Sequence, residues 1–205
     1  VVGDRGPGGG IVYYVSAAAF TSTGSSCNTS CRYLEVAPAT WKTGAVANDE
    51  RYVWQTLPVA VTGQDLSATT ESEFTAEAVN WKIGQGFNNT RLMNVGGSAS
   101  DARTAVLAYA GNSIAGQWFI PSMNELNELC KFARGQTTGV LTRQCDHSGT
   151  LKTGIANDLG GFVGQDYMSS SEYFLTNVAV QGFGTGGQGH GLKAATWNVR
   201  PVRAF

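Results

Sequence analysis

Four cysteines, two histidines and a serine run closed by a glutamate carry the reactive groups of this chain. Cys27 with Cys31, and Cys130 with Cys145, lie close in sequence, and four thiols allow three connectivities. Local pairing, Cys27–Cys31 and Cys130–Cys145, is expected because both loops are short and neither needs distant segments to meet. Closing the second loop would remove denatured-state entropy worth about 3 kcal/mol. The alternative chemistry is a metal. Cys27, Cys31, Cys145 and His147 are zinc-ligand types, but their spacing fits no common template.

Ser169, Ser170, Ser171 and Glu172 could serve as nucleophile and carboxylate beside His147 or His190. A serine nucleophile needs a base within hydrogen-bond reach and an oxyanion hole, and no G-x-S-x-G elbow is present. The run reads instead as hydroxyls and a carboxylate that satisfy buried backbone amides. Gly184–Gly189 matches G-x-G-x-x-G in letters, but it opens no helix after a parallel strand. A phosphate cradle needs that helix N-terminus, so a flexible hairpin loop is expected. Calcium requires several converging oxygens, usually from carboxylates. Beyond Glu172, the last forty or so residues offer Asp166 alone, and the Trp197-Asn198 pair lacks a following Asp. No cofactor, no metal and no catalytic residue is expected: the chain reads as a non-enzyme.

The elements that must position these groups are punctuated unevenly. Ile11–Val15 reads as a strand buried on both faces, after a turn-rich lead-in of five glycines between Gly3 and Gly10. Tyr33–Ala37 is a second strand. A helix is expected over Glu71–Lys82, capped by Thr70, with Glu73 in the capping box and Phe74, Ala78 and Trp81 on one face. A second covers Ala99–Ala110, with Ala102, Ala105, Val106 and Tyr109 in register. The third has Ser122 as cap, Glu125 in its capping box and Gly135 as stop, with Leu126, Leu129, Cys130 and Ala133 on the buried stripe. Strands are then expected at Tyr167–Ser170, Val178–Phe183, Lys193–Trp197 and Val199–Phe205, with Pro201 forcing an edge or a bulge. Helices before strands make the fold α+β, a single domain over 1–205. Trp41, Trp54, Trp118 and Phe119 are assigned to the core or to loop packing.

The chain has 205 residues, of which 14% are charged and 27 are glycine, with a net charge of -1. Average domains carry about 25% charge, so this composition suits a loop-rich extracellular protein. The balance favours neither nucleic acid nor an anionic membrane, and no apolar run reaches the ~20 residues of a bilayer span. Opening on Val1, the chain is expected to be a mature or excised piece. Its last residues, Arg200–Phe205, are expected to be tied into structure.

The stretch 161–198 is rich in rings and amides and nearly without charge. The candidate contact residues are Tyr167, Met168, Tyr173, Phe174, Asn177, Gln181, His190 and Trp197. Tyr and Trp bring large contact area at low entropic cost, and amides adapt their hydrogen bonds. Strand alternation sends about half of the eight inward.

Five ordered motifs carry a resemblance: Gly6-Pro7-Gly8-Gly9-Gly10-Ile11-Val12, Trp118–Ser122, Glu125-Leu126, Ser169–Glu172 and Val199–Phe205. Together they resemble the C-terminal domain of bacterial collagen-like adhesins, a former domain of unknown function with the C-type lectin fold. The resemblance implies two or three helices, a small antiparallel sheet and pairing of the N- and C-terminal strands. It also implies ligand recognition at a cell or phage surface without chemistry. One departure is Met168, where that family has Trp. A narrower resemblance is to the variable proteins of diversity-generating retroelements, whose rewritten residues lie near the C-terminus. The partner would be a protein or glycan on another cell or host surface, with no nucleic acid and no direct membrane insertion. Two alternatives stand beside this: a structural cap on a surface fibre, and an enzyme of the formylglycine-generating-oxidase-like fold. The last depends on C-terminal cysteines, and none follows Cys145.

Overall fold

In chain order the elements are β1 (Ile11–Phe20), β2 (Cys31–Val36), β3 (Arg51–Val53), α1 (Gly86–Leu92), α2 (Asp101–Ala108), α3 (Met123–Ala133), β4 (Asp166–Phe174), β5 (Asn177–Gly182), β6 (Gln188–Leu192), β7 (Thr196–Asn198) and β8 (Val202–Ala204). The structure is a computed structural model and describes residues 1–42, 49–57, 59–61, 81–94, 99–155 and 159–205. The architecture is α+β, with a three-stranded sheet ordered β1-β2-β8 and a five-stranded sheet ordered β3-β7-β4-β5-β6. The helix expected over Glu71–Lys82 lies outside the described residues, apart from Trp81 and Lys82.

The chain ends meet in one sheet, but not strand against strand. β2 lies between them, with Val36 facing Ile11 on one side and Val202 on the other. The physical reason is Glu35, fully buried in β2. Its carboxylate accepts the amides of Gly8 at 2.9 Å and Gly10 at 3.0 Å, and Arg203 of β8 donates to it at 2.7 Å. One buried acid thus holds the glycine lead-in and the last strand to the same middle strand. The last strand is shorter than the expected Val199–Phe205, and Pro201 stands just before it. Phe119 bridges the outer edge of β8 through paired bonds with Val202 at 2.8 and 2.9 Å.

Of the expected strand Lys193–Trp197, Thr196 and Trp197 fall in β7, while residues 193–195 form the turn between β6 and β7. Lys193 turns inward to pair with buried Glu172, and Leu192 accepts the Ala195 amide at 3.1 Å. Helix α1 was not foreseen. Its sequence, GFNNTRL, holds poor helix formers, and tertiary contacts fix it: Phe87 meets Phe119 edge-on at 5.8 Å and Thr90 Oγ1 accepts the Ile120 amide. α2 starts at Asp101 rather than Ala99, because Ser100 caps it by accepting the Arg103 amide. Trp41, Trp54, Trp118 and Phe119 are all buried, as expected.

Helix α3 has the expected capping box between Ser122 and Glu125, and Gly135 follows it at φ +72°. Glu125 does more than cap. Its carboxylate, fully buried, also accepts the Gly84 amide at 2.8 Å and that of Ser122 at 2.7 Å, tying the segment before α1 to α3. Burial pushes this carboxyl up to about 7 against the pull of those amides. The folded state therefore holds the proton more tightly than the unfolded chain between pH 4.5 and 7. Stability from this group is full below its unfolded pKa and is lost as pH rises through about 7. The stability difference between wild type and Glu125→Gln should move against wild type by on the order of 3 kcal/mol from pH 4.5 to 8. Urea melts of both proteins at the two pH values measure it, and a pH-independent difference would contradict the assignment.

Candidate functional site

The serine run belongs to the fold. Ser169, Ser170, Ser171 and Glu172 are buried in β4. Ser169 Oγ donates to the Ala179 carbonyl at 2.7 Å, and Ser171 Oγ accepts the Met123 amide at the start of α3 at 3.0 Å. The Glu172 carboxylate accepts the Val61 amide and pairs with Lys193, whose ammonium also donates to the Val59 carbonyl at 2.8 Å. Burial pushes the Glu172 carboxyl up and the Lys193 ammonium down, and each partner draws the other back. The sequence reading, hydroxyls and a carboxylate satisfying buried amides, describes what these residues do.

Gly184–Gly189 does join β5 to β6, but it is fastened rather than flexible. Arg134, at the end of α3, donates to the carbonyls of Phe183 and Gly184 and to those of His147, Ser148 and Gly149. His147 Nδ1 lies 3.0 Å from the Gly184 carbonyl. A Cβ on Gly186 would stand 2.3 Å from the Asp146 backbone. The two loops are thus locked together beside the Cys130–Cys145 disulfide, and Cys27–Cys31 closes the other local pair, as expected. Among the described residues no group of three or more His, Cys, Asp or Glu side chains could hold a metal.

The eight candidate contact residues divide evenly. Tyr167, Met168, Tyr173 and Gln181 are buried and are not surface contacts. Tyr167 stacks on Phe183 at 4.1 Å and its hydroxyl reaches Asp49. Met168 belongs to the core cluster of Trp54 and Trp118. Gln181 donates to Gly186 and Gly187, bracing the β5–β6 loop. Each points inward because the loops or neighbouring strands cover its face of the sheet.

Phe174, Asn177, His190 and Trp197 reach the surface. Phe174 faces Asn177 across the β4–β5 turn. Asn177 Nδ2 lies 2.9 Å from His190 Nδ1, and the His190 ring stacks on Tyr173 at 4.5 Å. Trp197 seals against Gly191, where a Cβ would fall 2.1 Å from the indole, and its Nε1 donates to the Leu192 carbonyl. Two residues the sequence reading missed complete the patch. Leu175, in the turn beside Phe174 at 45%, is 49% exposed, and Leu192, paired with Asn177, is 58% exposed. Aliphatic residues in a tight turn were the signal, since turns favour Gly, Pro, Asn, Asp and Ser. His190 is the one titratable side chain among these exposed residues, and the buried Glu172–Lys193 ion pair ties β4 to the turn after β6.

No protein-family model and no curated protein matches this chain. Its fold is similar to that of a fimbrial protein from Bacteroides ovatus, known from a crystal structure, with a TM-score of 0.55 and 16% sequence identity. The similarity covers 96% of this chain and 44% of the fimbrial protein. At that identity the likeness defines the class of fold, an α+β domain of a kind found in a fimbrial protein. Among the described residues no helix is long and apolar enough to cross a membrane.

Proposed function

We propose that this chain is a non-enzymatic recognition module displayed outside the cell, on a bacterial or phage surface, and that it docks a protein partner through the Phe174–Leu175–Leu192 patch. One observation carries the reading: Phe174 and Leu175 at the β4–β5 turn, and Leu192 on the neighbouring strand beside Asn177, are large exposed apolar side chains on strands whose central residues are buried. Contiguous exposed apolar surface of this kind marks interaction sites. Two disulfides suit an oxidising compartment, and the fimbrial likeness suits surface use. The apolar character of Phe174, Leu175 and Leu192 favours protein over glycan, because these side chains offer hydroxyl groups nothing to bond.

The test is capture of the fluorescently labelled domain by a panel of bacterial and epithelial cells, before and after trypsin treatment. Substituting Phe174, Leu175 and Leu192 together by serine should lower capture about tenfold or more, with the melting temperature nearly unchanged. Undiminished capture by the triple variant would reject the patch, and capture that survives trypsin would reject a protein partner.

The finer reading places this module on a C-type lectin-like scaffold, as a variable protein of a retroelement. Its support is that Phe174, Asn177, His190 and Trp197 all reach the surface within the stretch 161–198. A near-copy of the coding sequence for 161–205 beside a reverse transcriptase, differing at adenines, is the result this expects. A structural unit of a fibre is the second reading. Strand β1 favours it, since beyond Val12, where the lead-in bonds to it, its uncharged residues form an outer strand of their sheet, and such edges invite pairing. Concentration-dependent oligomers in size-exclusion chromatography would support it.

A further inference from the structure

A second, polar surface lies on the other side of Trp197. β4 and β7 run parallel and are joined at a single residue pair, Tyr167 with Asn198. From there β4 goes on to pair with β5, and β7 with β3. The strands fork, and the fork opens a cleft of about 330 Å³ lined by Arg51, Gly164, Gln165, Asp166, Trp197 and Asn198. That volume is at the small end of the range for small-molecule sites, too small for a folded protein segment.

Asn198 and Arg51 are held in place in it, and Gln165 and Asp166 are free. Asn198 is 3% exposed yet lines the cleft, so it forms the floor. Its Nδ2 donates to the Asp166 carbonyl at 3.0 Å, which fixes the amide and leaves Oδ1 as an acceptor. Arg51 is held by one bond to the Thr196 carbonyl at 2.6 Å and keeps its other guanidinium donors. The Asp166 carboxylate and the Gln165 amide have no side-chain partner among the described residues and are exposed. Trp197 is the one tryptophan of the five that is not buried.

We infer that this fork is a binding site for a neutral saccharide, independent of the apolar patch and of any bound cation. A carboxylate accepts hydrogen bonds from adjacent hydroxyls, a guanidinium donates to them, and amides do both. The face of an indole offers apolar contact to the C–H face of a sugar ring while its rim stays polar. Few ligand classes present a hydroxyl edge and an apolar face together, as a pyranose does. The single positive and single negative side chain cancel, so a phosphate or a polyanion gains no net attraction. One carboxylate in the cleft is too few oxygen donors to hold calcium, and binding proceeds through the side chains directly.

The test uses oligosaccharides ending in mannose, galactose, glucose or N-acetylglucosamine, together with unbranched mannan and glucan, which separate terminal from internal recognition. Saturation-transfer NMR reports contact, and protection of Trp197 fluorescence from iodide reports its place. At least one of these sugars should bind, with affinity unchanged by EDTA. Gln165→Ala/Asp166→Ala removes two exposed side chains that the fold does not use. It should weaken binding about tenfold or more, the loss expected of a charged hydrogen bond, with the melting curve unmoved. Absence of binding across the panel, or equal binding by the double variant, overturns the site. The triple serine variant of the apolar patch should keep full sugar binding, so failure of the protein-docking reading and failure of this one appear in different proteins.

Discussion

Arg200→Met should destabilise the protein by about 3–5 kcal/mol, the loss seen when one partner of a buried ion pair is removed. Arg200 is 1% exposed and is the centre of a network rather than one end of a pair. Its guanidinium pairs with Asp49 and donates to the carbonyls of Ala37, Gly160 and Gly161. It also lies over the Phe162 ring at 4.5 Å. Methionine matches the volume and supplies none of the donors. Asp49, itself buried, keeps only the Tyr167 hydroxyl, and three carbonyls lose a partner. The loss divides into a charge part and a carbonyl part, and a second substitution separates them. Asp49→Asn in the Arg200→Met background should return part of the stability, because the uncompensated charge is gone while the carbonyls stay unpaired. Urea melts of wild type, the single variants and the double variant measure both parts. A loss below about 1 kcal/mol for Arg200→Met would place this pair among those that hydrophobic replacement leaves unharmed. The network matters to the surface as well, since Tyr167 is the residue that joins β4 to Asn198 at the fork.

What the sequence made legible was local. Ser122, Glu125 and Gly135 mark the ends of α3 because capping satisfies amides three residues away, and the distance is written in the chain. The two disulfides were legible for the same reason: each closes a short loop. Legibility failed wherever a long-range partner decided the outcome. Lys193 looks like the start of a strand until Glu172, 21 residues away, draws it inside and makes a turn. Glu35 looks like an ordinary strand glutamate, yet it decides that β2 and not β1 pairs with β8. Tyr167, Met168 and Gln181 resemble contact residues by type. Phe183, the Trp54 cluster and the β5–β6 loop cover them, and nothing in their neighbours' identities announces that cover. Helix α1 is the converse case, a segment of weak propensity held by Phe119 and Ile120 from elsewhere. Four of the six surface residues were therefore found by residue type alone, and the two aliphatic ones, Leu175 and Leu192, came only from seeing the turn.

The glycine lead-in gives the second large effect, and it reverses the usual expectation for a Gly-rich segment near a chain end. Gly6, Gly8 and Gly10 are absent of side chains because Glu35, Trp118 and Val36 occupy the space. At Gly10 a Cβ would fall 2.4 Å from the Val36 carbonyl oxygen and 2.9 Å from the Trp118 ring. The first is backbone in the central strand of the sheet and cannot swing aside as a side-chain tip can. Gly10→Ala should therefore push β1 off β2, stretch the Gly10 amide away from the Glu35 carboxylate and lose on the order of 3 kcal/mol. Gly189→Ala is the matched control. Nothing lies within 4 Å of that Cβ and no positive φ is recorded there, so the same chemical change should alter stability by less than about 0.5 kcal/mol. Thermal melts of the two variants beside wild type decide the matter. If Gly10→Ala melted with wild type, the lead-in would be the loose turn its composition suggests, and Glu35 would no longer explain why the two ends of the chain share a sheet.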